Sequence, residues 1–202
     1  MISLYIDPSS GSVILNLFLS ILFSIGYYFR ELLYYKKGKK KSYKIAIFSE
    51  GNNYHSTFYP IVNELINQKI DFIYYTLDIN DKILDLNNKY LESRFIGLKF
   101  NRRVRFMNIE SDYLISTTPN IGNKNYFLGR PKKVQKLAHV FHAISDLSYY
   151  KKGAFDSYDL IFLVGGFQID SIETLYKKNN ILNKKLLDVG LPYFDFYHEK
   201  NQ

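Results

Sequence analysis

The side chains that could carry chemistry in this chain are histidine, carboxylate and hydroxyl groups, since it has four histidines and no cysteine. The missing thiol excludes disulfides, thiolate zinc sites and cysteine nucleophiles. His139 and His142 both fall in KLAHVFHAISD. His139 lies inside the apolar run and reads as a core or sheet-face imidazole. His142 follows the end of that run. An imidazole there titrates near neutrality and can take a proton from a hydroxyl; the competing reading is an exposed loop histidine. Ser145 and Asp146, just downstream, could each orient the ring. The two histidines would face opposite ways on a strand, so no metal site is expected. No cofactor motif is present either: the chain has no G-x-G-x-x-G after its first strand, no P-loop and no G-x-S-x-G.

Other groups recur where apolar runs stop. Ser49-Glu50-Gly51 ends the first run; Glu50 either holds a hydroxyl-bearing substrate or caps the next helix, and Gly51 admits close backbone approach. Thr117-Thr118-Pro119 places two hydroxyls at the end of another run, for a ligand or for capping the following turn. Gly165-Gly166 opens a helix, where backbone N–H groups could meet a phosphate.

The elements that must position these groups alternate. Tyr43–Ser49 (YKIAIFS) reads as a buried strand, Asn53–Asn67 has helical apolar spacing, and Ile70–Tyr75 is the next strand. Strand, helix, strand implies a right-handed parallel βαβ unit. Further strands are expected at Arg94–Phe100, Tyr113–Thr117, Lys136–Phe141, Leu160–Val164 and Leu186–Val189, with helices at Arg102–Ile109 and Phe167–Lys178. The expected fold over residues 42–202 is therefore α/β, a single Rossmann-like doubly wound parallel sheet. In such sheets ligands bind beyond the carboxyl ends of the strands. The loops of interest are Glu50–Tyr54, Asp78–Asp81, Thr117–Gly122, His142–Asp146 and Gly165–Gln168.

Residues 1–41 differ in character. Gly11–Phe29 (GSVILNLFLSILFSIGYYF) carries no charge and as a helix would reach about 28 Å, near the hydrocarbon thickness of a bilayer. Ser12, Ser20 and Ser24 can bond back to their own helix, leaving Asn16 as the costly polar group. Arg30 and the lysines 36, 37, 39, 40 and 41 follow. With a net charge of +8, that cluster points to anionic lipid more than to nucleic acid. The positive-inside rule gives a single-pass membrane helix with the bulk of the chain cytoplasmic. The alternatives are a buried or in-plane helix.

Several segments resemble one family. HVFHAISDLSYYKKGAFDSYDLIFLVGGFQIDSIETL, DVGLPYFD, FSEGNNYHSTFYPIVNEL, DYLISTTPNIG and the N-terminal YIDPSSGSVILNLF are similar, in order, to the N-terminal half of CDP-glycerol glycerophosphotransferases of teichoic-acid biosynthesis in the cell envelope. The resemblance implies the acceptor-side half of a GT-B fold. His142 matches the position of the family's acceptor-activating base, although the family's His-Gly is His142-Ala143 here. It implies a polyol-phosphate or glycan acceptor, and a nucleotide-binding domain or chain supplied beyond Gln202. The second reading is a non-catalytic, membrane-tethered acceptor-binding or scaffold module.

Overall fold

In the computed structural model the described residues are 8–34, 42–97, 100–145, 147, 150–151, 153–172 and 184–200. The chain divides into two compact units, Met1–Lys37 and Gly38–Gln202.

The first unit is helix α1, Pro8–Tyr34. Its described side chains, those of residues 12–26, are all exposed. Ser20 donates to the Leu17 carbonyl and Ser24 to the Ser20 carbonyl, both at 2.7 Å. These hydroxyls are thus satisfied inside the helix, as the sequence suggested. Among the described residues no helix is long and apolar enough to cross a membrane. The lysines at 36–41 lie outside the described residues.

The second unit is built on seven parallel strands: β1 Tyr43–Ser49, β2 Phe72–Thr76, β3 Leu91–Phe95, β4 Glu110–Ser116, β5 Lys133–Val140, β6 Leu160–Leu163 and β7 Lys185–Asp188. Their order is β3-β2-β1-β4-β5-β6-β7. The direction of winding reverses between β1 and β4, which makes the ends of those two strands the topological switch point of a Rossmann-like sheet.

Strand side chains alternate between two cores, because successive residues face opposite sides of a pleated sheet. Ala46, Phe48, Leu114, Leu137, Phe141, Ile161 and Leu163 pack on one face, with Phe106 of helix α3 (Phe100–Met107) and Ile172 of the helical segment 167–172. Ile47, Phe72, Tyr74 and Val140 pack on the other, with Phe58 and Val62 of helix α2 (His55–Asn67). A last helix, α4 (Pro192–Lys200), lies on α2, where Phe196 sits against His55 and Tyr59.

Several expected strand boundaries move. The strand expected at Arg94–Phe100 is Leu91–Phe95, and Gly97, at φ 85°, helps turn the chain before α3 begins at Phe100. β4 and β5 start earlier than their apolar runs, because polar residues pair across the strands. Lys133 Nζ meets Glu110 at 3.0 Å and Gln135 donates to Asp112 at 2.9 Å. Exposed charged pairs of this kind fit an antiparallel or parallel ladder without an apolar signal. Of the helix expected at Phe167–Lys178, residues 173–178 lie outside the described set.

Candidate active site

Three strands reach the carboxyl edge of the sheet with the same device. Gly51 N–H donates to Ser49 Oγ at 3.1 Å, Asp78 N–H to Thr76 Oγ1 at 3.1 Å, and Thr118 N–H to Ser116 Oγ at 3.1 Å. A buried hydroxyl two residues back turns each strand into its loop. The loops after β1 and β2 are tied together: Asn52 N–H donates to Asp78 Oδ2 at 3.1 Å. Gly51 is held at φ 153°, and a Cβ there would lie 2.9 Å from Asp78 Cβ. Glycine is therefore needed for packing against the β2 loop.

Glu50 follows β1 directly. Its carboxylate accepts the Tyr126 hydroxyl at 2.8 Å. No side chain caps the 3₁₀ turn at Asn52–Tyr54 or α2. Of the two readings for Glu50, helix capping is therefore removed: the carboxylate faces the loop after β4. Burial and the Glu50 charge push the Tyr126 phenol well above its ordinary pKa, so it stays protonated and donating.

His142 lies just past β5, partly buried, its ring edge-on to Tyr54 with centroids 5.0 Å apart. Burial lowers its pKa from the usual 6.5, while the Glu50 charge works the other way. Among the described residues no hydrogen bond reaches either ring nitrogen. The neutral ring thus has a lone pair for an incoming proton.

His139 differs in every respect. It is 1% exposed, walled by Phe141, Phe155 and Tyr158, and neither nitrogen has a partner among the described residues. Burial, with a smaller contribution from His142, lowers its pKa to about 3. It is a core histidine.

The remaining expected site residues divide. Thr117 and Thr118 are buried beside the switch point, and neither Oγ1 has a partner among the described residues. Capping is therefore not their role; Ser116 does that work, and the Thr118 carbonyl accepts the Tyr158 hydroxyl. The Ser145 hydroxyl pairs with the Tyr150 phenol at 3.1 Å, so it does not orient the imidazole. Asp146 lies outside the described residues. At Gly165-Gly166 neither glycine has positive φ, and a Cβ on Gly166 would meet nothing. Gln168 organises that loop instead: its Oε1 accepts Val164 N–H at 2.8 Å and its Nε2 donates to the Ser145 carbonyl at 3.2 Å. Among the described residues no group of three His, Asp or Glu side chains could hold a metal.

Sequence reading passed over Tyr54 and Tyr126, two among 19 tyrosines. Only their positions, one in the β1 loop and one in the β4 loop, could have singled them out.

Fold and site together define an α/β protein with one all-parallel, Rossmann-like sheet, bearing an imidazole and a carboxylate at the carboxyl edge near its switch point. Compared with known family models and with curated proteins, the chain matches none.

Proposed function

We propose that this chain is the acceptor-side half of a membrane-associated enzyme of the CDP-glycerol glycerophosphotransferase type, with His142 as its base. The observation that carries the proposal is His142 itself: a partly buried imidazole at the end of β5, without a hydrogen bond among the described residues, its pKa lowered by burial against the opposing Glu50 charge. In the proposed reaction an acceptor hydroxyl oxygen attacks the β-phosphorus of CDP-glycerol. His142 takes the hydroxyl proton, the bond from that phosphorus to CMP breaks, and CMP leaves. Glu50 would steady the imidazolium that forms, and it is held by Tyr126.

The nucleotide half would come from a further domain or a partner chain, closing a GT-B cleft over the carboxyl edge. Helix α1 would associate the enzyme with the cell membrane. Its exposed apolar side chains and internally bonded serines support that placement, and the lysines after it would stay on the cytoplasmic side. A soluble polyol phosphate or a glycan would serve as acceptor.

The test combines the full chain in mixed micelles with a candidate nucleotide-binding domain, CDP-glycerol and a polyol-phosphate acceptor. Release of CMP that requires both proteins, and that His142→Ala removes, is the expected result. CMP release undiminished by His142→Ala would reject the base assignment, and none in any combination would reject the transferase reading.

A further inference from the structure

Helix α4 is joined to β7 through Val189 and Gly190, whose N–H groups both donate to the Leu163 carbonyl, at 3.1 and 3.2 Å. Gly190 stands at φ 79°, a conformation that favours glycine and lets the chain turn there. β7 is the last strand in the order β3-β2-β1-β4-β5-β6-β7. To reach α2, which follows β1, the chain passes the width of β6, β5 and β4. β5 is the strand that leads into His142. Residues 189–200 thus form a strap laid back across the sheet.

The strap is lightly held. None of the described side chains of α4 is buried: Pro192 and Phe196 are half-buried, and Tyr193, Phe194, Asp195, Tyr197 and His198 are exposed. Its contact with α2 centres on three rings. Phe196 lies edge-on to His55, with centroids 5.8 Å apart, and edge-on to Tyr59 at 5.9 Å, while His55 and Tyr59 are 5.2 Å apart. Each ring meets the other two, and such aromatic pairs are worth little beyond the area they bury.

One ring of the three can take a proton. His55 Nδ1 is closed off from solvent and has no partner among the described residues. A neutral imidazole can leave that nitrogen bare and carry its proton on Nε2. Protonation turns Nδ1 into a buried donor without an acceptor, and that loss exceeds the attraction of a charged ring to its aromatic neighbours. The charges around His55 pull in opposite directions. From the turn after β2, Asp81 favours the imidazolium and Lys82 opposes it. Asp81 already accepts the Tyr74 hydroxyl and the Ile83 N–H. α2 contributes the Tyr59 phenol, and α4 the exposed Asp195 and His198. Burial outweighs these charges and lowers the His55 pKa from its ordinary 6.5. Phe196 is one wall of that burial, so the docked strap favours the neutral ring. Docking is then full above the ordinary histidine value and weakens as pH falls below it.

We propose that residues 189–200 are a strap closed across the sheet at neutral pH, clasped by His55, Tyr59 and Phe196, and that it swings away about Gly190 when His55 takes a proton. Release reaches the site through Tyr54, the neighbour of His55, whose ring lies edge-on to His142. The clasp stands on packing and protonation, and holds whether or not the chain takes part in a transfer reaction.

Hydrogen–deuterium exchange of the full chain in zwitterionic micelles, corrected for the intrinsic rate at each pH, reads the strap directly. Between about pH 7.5 and about pH 5, on either side of an ordinary histidine, the α4 amides should lose protection about tenfold. Those of β1, β4 and β5 should keep theirs. His55→Phe, which keeps a ring and takes no proton, should hold α4 protected at both pH values, and Phe196→Ala should leave it unprotected at both. Equal acid loss in His55→Phe and the unaltered chain would overturn the clasp, as would α4 protection that ignores pH in the unaltered chain. Loss in α4 only together with the whole sheet would assign the effect to global unfolding, of the kind buried His139 brings, and would overturn it too. Circular dichroism checks folding. Should His55→Phe not fold, His55→Leu, equally unable to take a proton, replaces it, with exchange at α4 expected to be independent of pH.

Discussion

Tyr126 and Glu50, separated by 76 positions in the chain, meet through a 2.8 Å hydrogen bond from the phenol to the carboxylate. The bond joins the loop after β1 to the loop after β4 across the switch point of the sheet. It fixes a negative charge where it can act on His142.

Replacing Glu50 by glutamine keeps the shape and removes the charge. That charge raises the His142 pKa against the lowering effect of burial. Glu50→Gln should therefore move the His142 titration to lower pH, as followed by NMR of the imidazole protons. A titration unchanged in the variant would show that the two groups do not communicate. Tyr126→Phe should leave the charge in place and cost about 1 kcal/mol of stability in urea unfolding, the loss expected for one hydrogen bond.

A base must be neutral to act. Burial lowers the His142 pKa from its ordinary value, so the acid limb of transfer should lie at lower pH than an exposed histidine would give. Transfer should fall as pH drops through the His142 value. In Glu50→Gln the acid limb should shift further down, in step with the NMR titration. A limb above pH 6.5 would point to another group.

His139 makes the fold sensitive to acid. Its pKa is about 3 in the folded chain and about 6.5 when unfolded. Between those values the unfolded state binds the extra proton, so stability is full above 6.5 and declines as pH falls toward 3. The slope from this one group is at most about 1.4 kcal/mol per pH unit. His139→Phe should flatten it, measured as unfolding free energy at a series of pH values. Equal slopes in both proteins would refute a neutral buried imidazole.

At Gly51 the backbone and the neighbouring loop both exclude a side chain. Gly51→Ala should destabilise the chain by about 1–3 kcal/mol, through strain at positive φ and collision with Asp78. Thermal unfolding reads the change, and Gly166→Ala, whose Cβ meets open space, is the control.

Removing residues 1–41 should abolish sedimentation with membranes if α1 is the anchor. A shortened chain that still pellets would place the attachment elsewhere.

The continuous apolar runs of β1, β5 and β6 marked strands in the sequence because both faces of those strands are buried. Helix α2 was equally plain, since Phe58 and Val62 recur at helical spacing on its buried face. His139 as a core residue and His142 as a strand-end residue also followed, because a run of apolar neighbours fixes depth along one strand. β3 and the starts of β4 and β5 were obscured: their pairing is backbone to backbone and charge to charge, which leaves no apolar signature. Local pattern could not say that Glu50 would face Tyr126 or that Ser145 would turn to Tyr150. Those choices belong to loops from different strands, and only the strand order of the folded sheet brings such loops together.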